Sequence, residues 1–131
     1  MYDKILIVDD DDDILYIIST ILKQLNYKIF KAKSAREALN IWKLNNIGIV
    51  LTDLNLDGDI DGVDLCSNIL NRNGQIIIIG MSGYLKDYSL YFCLSIGFRD
   101  FLLKPISAND LKITIDCASK QGKRFEKMNN Y

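Results

Sequence analysis

Apolar and polar positions along the 131-residue chain switch repeatedly between two periods. Short β-branched runs at residues 4–8, 28–32, 47–51, 75–81 and 100–103 read as strands. The 75–81 run is almost all isoleucine, which suits a strand buried on both faces. Between these runs the period lengthens. Ile14, Leu15, Ile17, Ile18, Ile21, Leu22 and Leu25 recur at three-and-four spacing and mark an amphipathic helix. Ser34 with Glu37 forms a capping-box signature ahead of Ala35, Ala38, Leu39 and Trp42. Further helices are predicted over 63–70 and 84–96, the latter stopped by Gly97. A last one opens at Ser107 with Asp110 and runs to about Lys120. The polar stretch 121–131 either frays or continues that helix.

Five strands alternating with five helices is the pattern of βαβ units. Right-handed crossovers then give an α/β fold, a doubly wound parallel sheet covered on both faces. We expect one domain with a single core over residues 1–120, with 121–131 as a C-terminal tail or the start of a linker.

Composition narrows the function. Sixteen Lys and Arg against seventeen Asp and Glu leave a net charge of −1, which argues against a nucleic-acid surface. No apolar run approaches a membrane span. The N-terminus shows no signal-peptide pattern, so a cytoplasmic protein is expected. Cys66, Cys93 and Cys117 sit among helical residues and read as reduced, buried thiols. There is no histidine, which removes His-based catalysis and His metal sites.

In open parallel sheets, sites form beyond the carboxyl ends of the strands. Here those ends carry Asp9 and Asp10, then Asp53, then Ser82 and Gly83, then Lys104 and Pro105. Each alone has an ordinary explanation, since Asp residues cap helices and Ser residues fill turns. Their joint placement is harder to dismiss. Three carboxylates brought together favour a divalent ion, and oxygen-only ligation suits Mg²⁺. A metal-bound carboxylate facing an ammonium and a hydroxyl is an arrangement for phosphoryl groups, and a carboxylate there can be the nucleophile.

With these motifs in this order, the chain resembles a response-regulator receiver domain of two-component signalling, of the chemotaxis-regulator-like kind. The resemblance runs from about Lys4 to Lys120. It rests on Ile-Leu-Ile-Val-Asp9-Asp10, Leu-Thr-Asp53, Ile-Ile-Gly-Met-Ser82-Gly83 and Phe101-Leu-Leu-Lys104-Pro105. It implies a flavodoxin-like strand order, 2-1-3-4-5, and a switch that takes a phosphoryl group from a phosphohistidine onto Asp53. The donor would be a sensor histidine kinase or a histidine phosphotransfer protein. The resemblance makes Asp9, Asp10, Asp53 and the Asn55 backbone carbonyl the Mg²⁺ ligands. It also makes Ser82 and Lys104 the partners of the phosphoryl group, and the bond before Pro105 cis.

Phe101 matches an aromatic that changes rotamer on activation, although an aromatic in a strand also serves plain packing. Tyr84, two residues after Ser82, is expected to restrict water and lengthen the phosphorylated lifetime. A face made by the fourth helix, fifth strand and fifth helix, with Tyr84, Tyr88 and Tyr91, is expected to dimerise or meet a partner; covering neighbouring side chains explains those rings equally well. The domain is expected neither to bind nucleic acid directly nor to act as an enzyme, beyond its own phosphorylation and dephosphorylation.

Two departures from the family pattern stand out. No Met-Pro follows Asp53, and the Asp61-Gly62 pair comes one residue late, so the loop is longer and more acidic. Residues 53–64 also fit the ligand spacing of a calcium-binding EF-hand loop, with Asp64 at the last position. The preceding segment reads as a strand rather than the required helix. A haloacid-dehalogenase-type phosphatase is another alternative, but it leaves Asp53 without a role. A receiver-like interaction module that is never phosphorylated keeps the fold without the chemistry.

Overall fold

A computed structural model describes residues 1–83 and 90–129. Five strands alternate with five helices: β1 (Lys4–Val8), α1 (Asp12–Gln24), β2 (Lys28–Ala32), α2 (Ala35–Leu44), β3 (Ile49–Asp53), α3 (Gly62–Arg72), β4 (Ile77–Ser82), α4 (Leu90–Ile96), β5 (Asp100–Leu103) and α5 (Ala108–Asn129). The strands form one sheet in the order β2-β1-β3-β4-β5, and every pair is parallel.

Alternate side chains of each strand enter two cores. Leu6, Val8, Val50 and Ile78 meet α2, α3 and α4 through Ala38, Leu65, Ile69 and Cys93. Ile5, Ile7, Leu51 and Ile79 meet α1 and α5 through Leu15, Ile18, Leu111 and Ile115. Strands buried on both faces need no polar alternation, which is why their sequences are near-continuous apolar runs.

Local chemistry sets the helix ends. Asp11 caps α1 by accepting from the backbone N–H groups of Asp13 and Ile14. Ser34 accepts from Glu37 N at 3.1 Å, but the Glu37 carboxylate accepts from Lys33 N, one residue before the cap, so the box is half made. Asp61 and Asp64 complete a full capping box at α3.

Several boundaries differ from expectation. β3 begins at Ile49 rather than residue 47 and runs on through Asp53. β4 begins at Ile77 rather than residue 75, because the Gln75 carbonyl accepts from the Tyr2 hydroxyl at 2.7 Å. The last helix continues past Lys120 to Asn129, through the segment read as a tail or linker, because Gly122 and Phe125 pack beneath Tyr2 and its core. Tyr84, Tyr88 and the beginning of the predicted fourth helix lie outside the described residues.

Cys117 corrects the reading of three buried thiols. It is exposed, while Cys66 and Cys93 are buried. Position 117 falls on the solvent side of α5, between the inward-facing Ile115 and Ala118. Burial pushes the Cys66 thiol up to about 12, so it stays protonated.

Candidate functional site

The parallel sheet carries the ends of β1, β3, β4 and β5 to one edge. Asp9 follows β1 and is fully buried; Asp53 ends β3 and is 6% exposed. Asp10 is exposed beside them. Oxygen atoms from all three carboxylates lie within 4.8 Å of one another.

Lys104 enters from the end of β5. Its Nζ donates to Asp9 Oδ2 at 2.8 Å and to Asp53 Oδ2 at 3.0 Å. The remaining oxygens are also engaged, since Asp9 Oδ1 accepts from Asp11 N and Asp53 Oδ1 accepts from Asn55 N. Both carboxylates are therefore fixed in orientation. Burial raises the Asp53 pKa, opposed by the Asn55 N–H and by Lys104. For Lys104, burial works against the charged form, but the hydrogen bonds to Asp9 and Asp53 outweigh it and the pKa rises.

Ser82 is buried at the end of β4, one residue beyond the Asp53–Met81 pairing. Lys104 N donates to the Ser82 carbonyl at 2.9 Å, which ties the backbone after β5 to the end of β4. Gly83 is exposed beyond it, and the Lys104–Pro105 bond is cis. Phe101 is half-buried in β5 and stacks on Phe98, with ring centroids 5.5 Å apart.

The donor set fits a hard divalent cation. Three carboxylates against one ammonium leave a surplus of two negative charges in one small space. The donors are all oxygens, and exposed Asp10 leaves a side open to water, as Mg²⁺ prefers.

The structure overturns the calcium-loop alternative. Asp53 ends a strand, Asp59 pairs with Arg36 of α2, and Asp61 and Asp64 are spent capping α3. The same spacing of acids thus serves a helix start. Gly62 at that start packs so closely on the Asp53–Leu54 backbone that a Cβ would lie 2.9 Å from Leu54 Cα. The longer loop therefore leaves Asp53 in register.

Two features at this edge escaped sequence reasoning. One is an apolar cleft of about 480 Å³ between α1 and the β5–α5 connection, lined by Ile14, Ile17, Ile21, Pro105 and Ile106, with Lys104 at its wall. Its sequence signal is the width of the isoleucine stripe on α1, more than a buried face needs; Ile17 is 55% exposed. The other is the Arg36–Asp59 pair, for which no local signal exists.

Comparison with known proteins agrees with this geometry. The family profile described as response regulator receiver domain matches residues 5–116. The chain is 35% identical over 113 residues to the two-component response regulator-like protein PRR37 of Oryza sativa subsp. indica, covering 83% of this chain and 15% of that protein. It is 31% identical over 125 residues to the regulatory protein VanR of Enterococcus faecium, covering 95% and 53%. It thus spans about half or less of the length of these relatives. Among solved structures, a receiver domain protein from Clostridium thermocellum superposes with a TM-score of 0.85 at 28% identity, covering 93% of this chain and 98% of the other. A CheY-like receiver domain protein from Methanospirillum hungatei gives 0.84 at 28% identity, covering 92% and 96%. Sheet order, clustered acids and matched profile agree: the chain belongs to the response regulator receiver domain family of two-component signalling.

Proposed function

We propose that the chain is a phosphorylation-controlled switch in which Asp53 accepts a phosphoryl group from a phosphohistidine on a sensor kinase or phosphotransfer protein. The observation that carries this is the buried Asp53 carboxylate, oriented by Lys104 and Asn55 N beside Asp9. An Asp53 oxygen attacks phosphorus in line, the phosphorus–nitrogen bond breaks, and the imidazole leaves with a proton. Lys104 neutralises charge on the transferred oxygens, and the Ser82 hydroxyl donates to them. Asp9, Asp10, Asp53 and the Asn55 carbonyl would hold Mg²⁺, which supplies charge neutralisation between acceptor and donor phosphoryl. The chain catalyses this transfer onto itself and the hydrolysis of the resulting aspartyl phosphate to Asp53 and inorganic phosphate, and no separate turnover.

The cleft between α1 and Pro105 opens beside Lys104 and supports docking of the donor's helices there. Tyr91 at 87% exposure, with Leu94, Leu103 and Ile113, supports the face of α4, β5 and α5 as a phosphorylation-dependent homodimer or partner surface. No described helix is long and apolar enough to cross a membrane. That, with reduced thiols, supports a cytoplasmic setting.

Intact mass after incubation with acetyl phosphate tests the proposal. One phosphoryl adduct is expected on the wild type with Mg²⁺, and none with a chelator or in Asp53→Asn. An adduct that persists in Asp53→Asn overturns the assignment.

A further inference from the structure

We infer that the amino-terminal edge of the sheet is a contact face for an anionic lipid surface, formed by cations and exposed apolar side chains at the helix ends gathered there. Nothing in this depends on Asp53 accepting a phosphoryl group.

All five strands are parallel, so each helix returns the chain and ends at the edge where the strands begin. Lys23, Lys43, Arg72 and Lys127 stand in the last turns of α1, α2, α3 and α5, and α5 adds Lys123 and Arg124. Met1 joins these ends. It lines one hollow with Lys43 and Arg72, and its ammonium lies 3.7 Å from Glu126 of α5. Lys28 N donates to the Asp3 carbonyl at 2.9 Å, which sets the turn after α1 beside them.

These cations are exposed, and none is in an ion pair among the described residues. Asp3 and Glu126 face the Met1 ammonium instead, and Asp100 accepts from Phe101 N. The acids gather at the opposite edge, so the net charge of −1 conceals two faces of opposite sign.

A cation at a helix end complements the macrodipole, and a lone exposed Leu is ordinary. The macrodipole does not account for apolar side chains beside those cations. Three ends pair the two: Lys23 with Leu25, Lys43 with Leu44, and Lys127 with Met128. Leu44 is 84% exposed and Met128 70%. The acidic edge of a second copy would take the cations but leave these side chains in water. An anionic bilayer takes both, the headgroup phosphates pairing the cations and the apolar tips entering the acyl boundary. Charges act over roughly 8 Å at physiological ionic strength. Five-residue strands set the acidic edge about 16 Å farther off, so the bilayer meets the rim's charge rather than the net charge. The protein lies on the surface, since no described helix is long and apolar enough to cross.

Co-sedimentation of the full chain with vesicles tests this. Wild type is expected to pellet with phosphatidylglycerol–phosphatidylcholine vesicles at low salt, and not with phosphatidylcholine alone. Lys123→Gln with Lys127→Gln should weaken binding about tenfold. Lys43→Gln with Arg72→Gln should do the same from other helices, so unwinding of α5 does not decide the result. Leu44→Ser with Met128→Ser should also cost about tenfold. Lys31→Gln with Lys112→Gln removes equal charge from exposed positions on the flank and should leave binding unchanged. No pelleting of the wild type with anionic vesicles at low salt overturns the inference, as does an equal loss in the flank variant. Full binding by the Leu44→Ser, Met128→Ser variant also overturns it, assigning the rim to a polyanion or to the acidic edge of a second copy.

Discussion

The two ends of the sheet are built on opposite principles. At the carboxyl edge, Asp9 and Asp53 are buried together with Asp10 beside them, and Lys104 answers only part of their charge. At the amino edge, Tyr2 is 1% exposed, its hydroxyl donates to Gln75 O, and its ring lies against Gly48 and Gly122. The first arrangement carries repulsion that a divalent cation can relieve. Inside its charged rim, the second is satisfied packing and asks nothing of a ligand. Function is concentrated where the fold is electrostatically unfinished, and stability where it is complete.

The largest expected effect tests the finished end. Tyr2→Ala removes a buried ring and its hydrogen bond and should cost about 3–5 kcal/mol, measured as a lower urea midpoint. Tyr2→Phe keeps the ring and should cost about 1 kcal/mol. Gly122→Ala is the sharper probe. Helix propensity alone predicts a gain of about 1 kcal/mol. The Tyr2 ring, however, occupies the space a Cβ at Gly122 would need. Overpacking then predicts a loss of about 1–3 kcal/mol, and a gain would show that the α5 extension does not rest on Tyr2.

The unfinished end should respond with the opposite sign. Burial disfavours the ionised Asp53 carboxylate. Asp53→Asn removes one negative charge from the cluster and keeps the side-chain shape. With chelator present, it is expected to raise the urea midpoint, by an amount equivalent to about 1 kcal/mol. Added Mg²⁺ should stabilise the wild type and narrow the gap, because binding to the folded state alone shifts the equilibrium. A midpoint that falls in Asp53→Asn would mean the Lys104 pairing outweighs the crowding of carboxylates.

The carboxyl edge was legible in the sequence and the amino edge was not, for a reason of distance along the chain. β1, β2 and β5 match their apolar runs to the residue, because hydrophobic period alone defines a buried strand. Once strands and helices alternate, parallel topology brings Asp9, Asp53, Ser82 and Lys104 to one edge without further information. Gln75 illustrates what pattern misses. Its carbonyl is taken by Tyr2, 73 residues earlier in the sequence, and the strand starts at Ile77. The Gly122 contact is likewise a property of two residues meeting, and a lone glycine in a helix does not announce it. The acids after Asp53 misled for another reason: the side chains that could ligate calcium also cap a helix, and only the strand before them separates the two outcomes.

The same kind of charge placed in solvent makes the smallest prediction and the control for the others. Arg36 of α2 holds Asp59 of the loop after β3 through both guanidinium contacts, Nε donating to Oδ1 at 3.2 Å. Both side chains are largely exposed. The hydrogen bond to Arg36 lowers the Asp59 pKa below the usual carboxylate value. A depressed folded-state pKa means the stabilising contribution is present above the unfolded value and disappears as pH falls through the folded one. Asp59→Asn should therefore lower the midpoint slightly at neutral pH and low salt. The difference from wild type should shrink toward nothing in strongly acid solution, and also at high ionic strength, where exposed pairs are screened. A difference that survived both conditions would show that the longer loop depends on Asp59 through more than its charge, and that solvent exposure is not what separates it from the buried acids at the same edge.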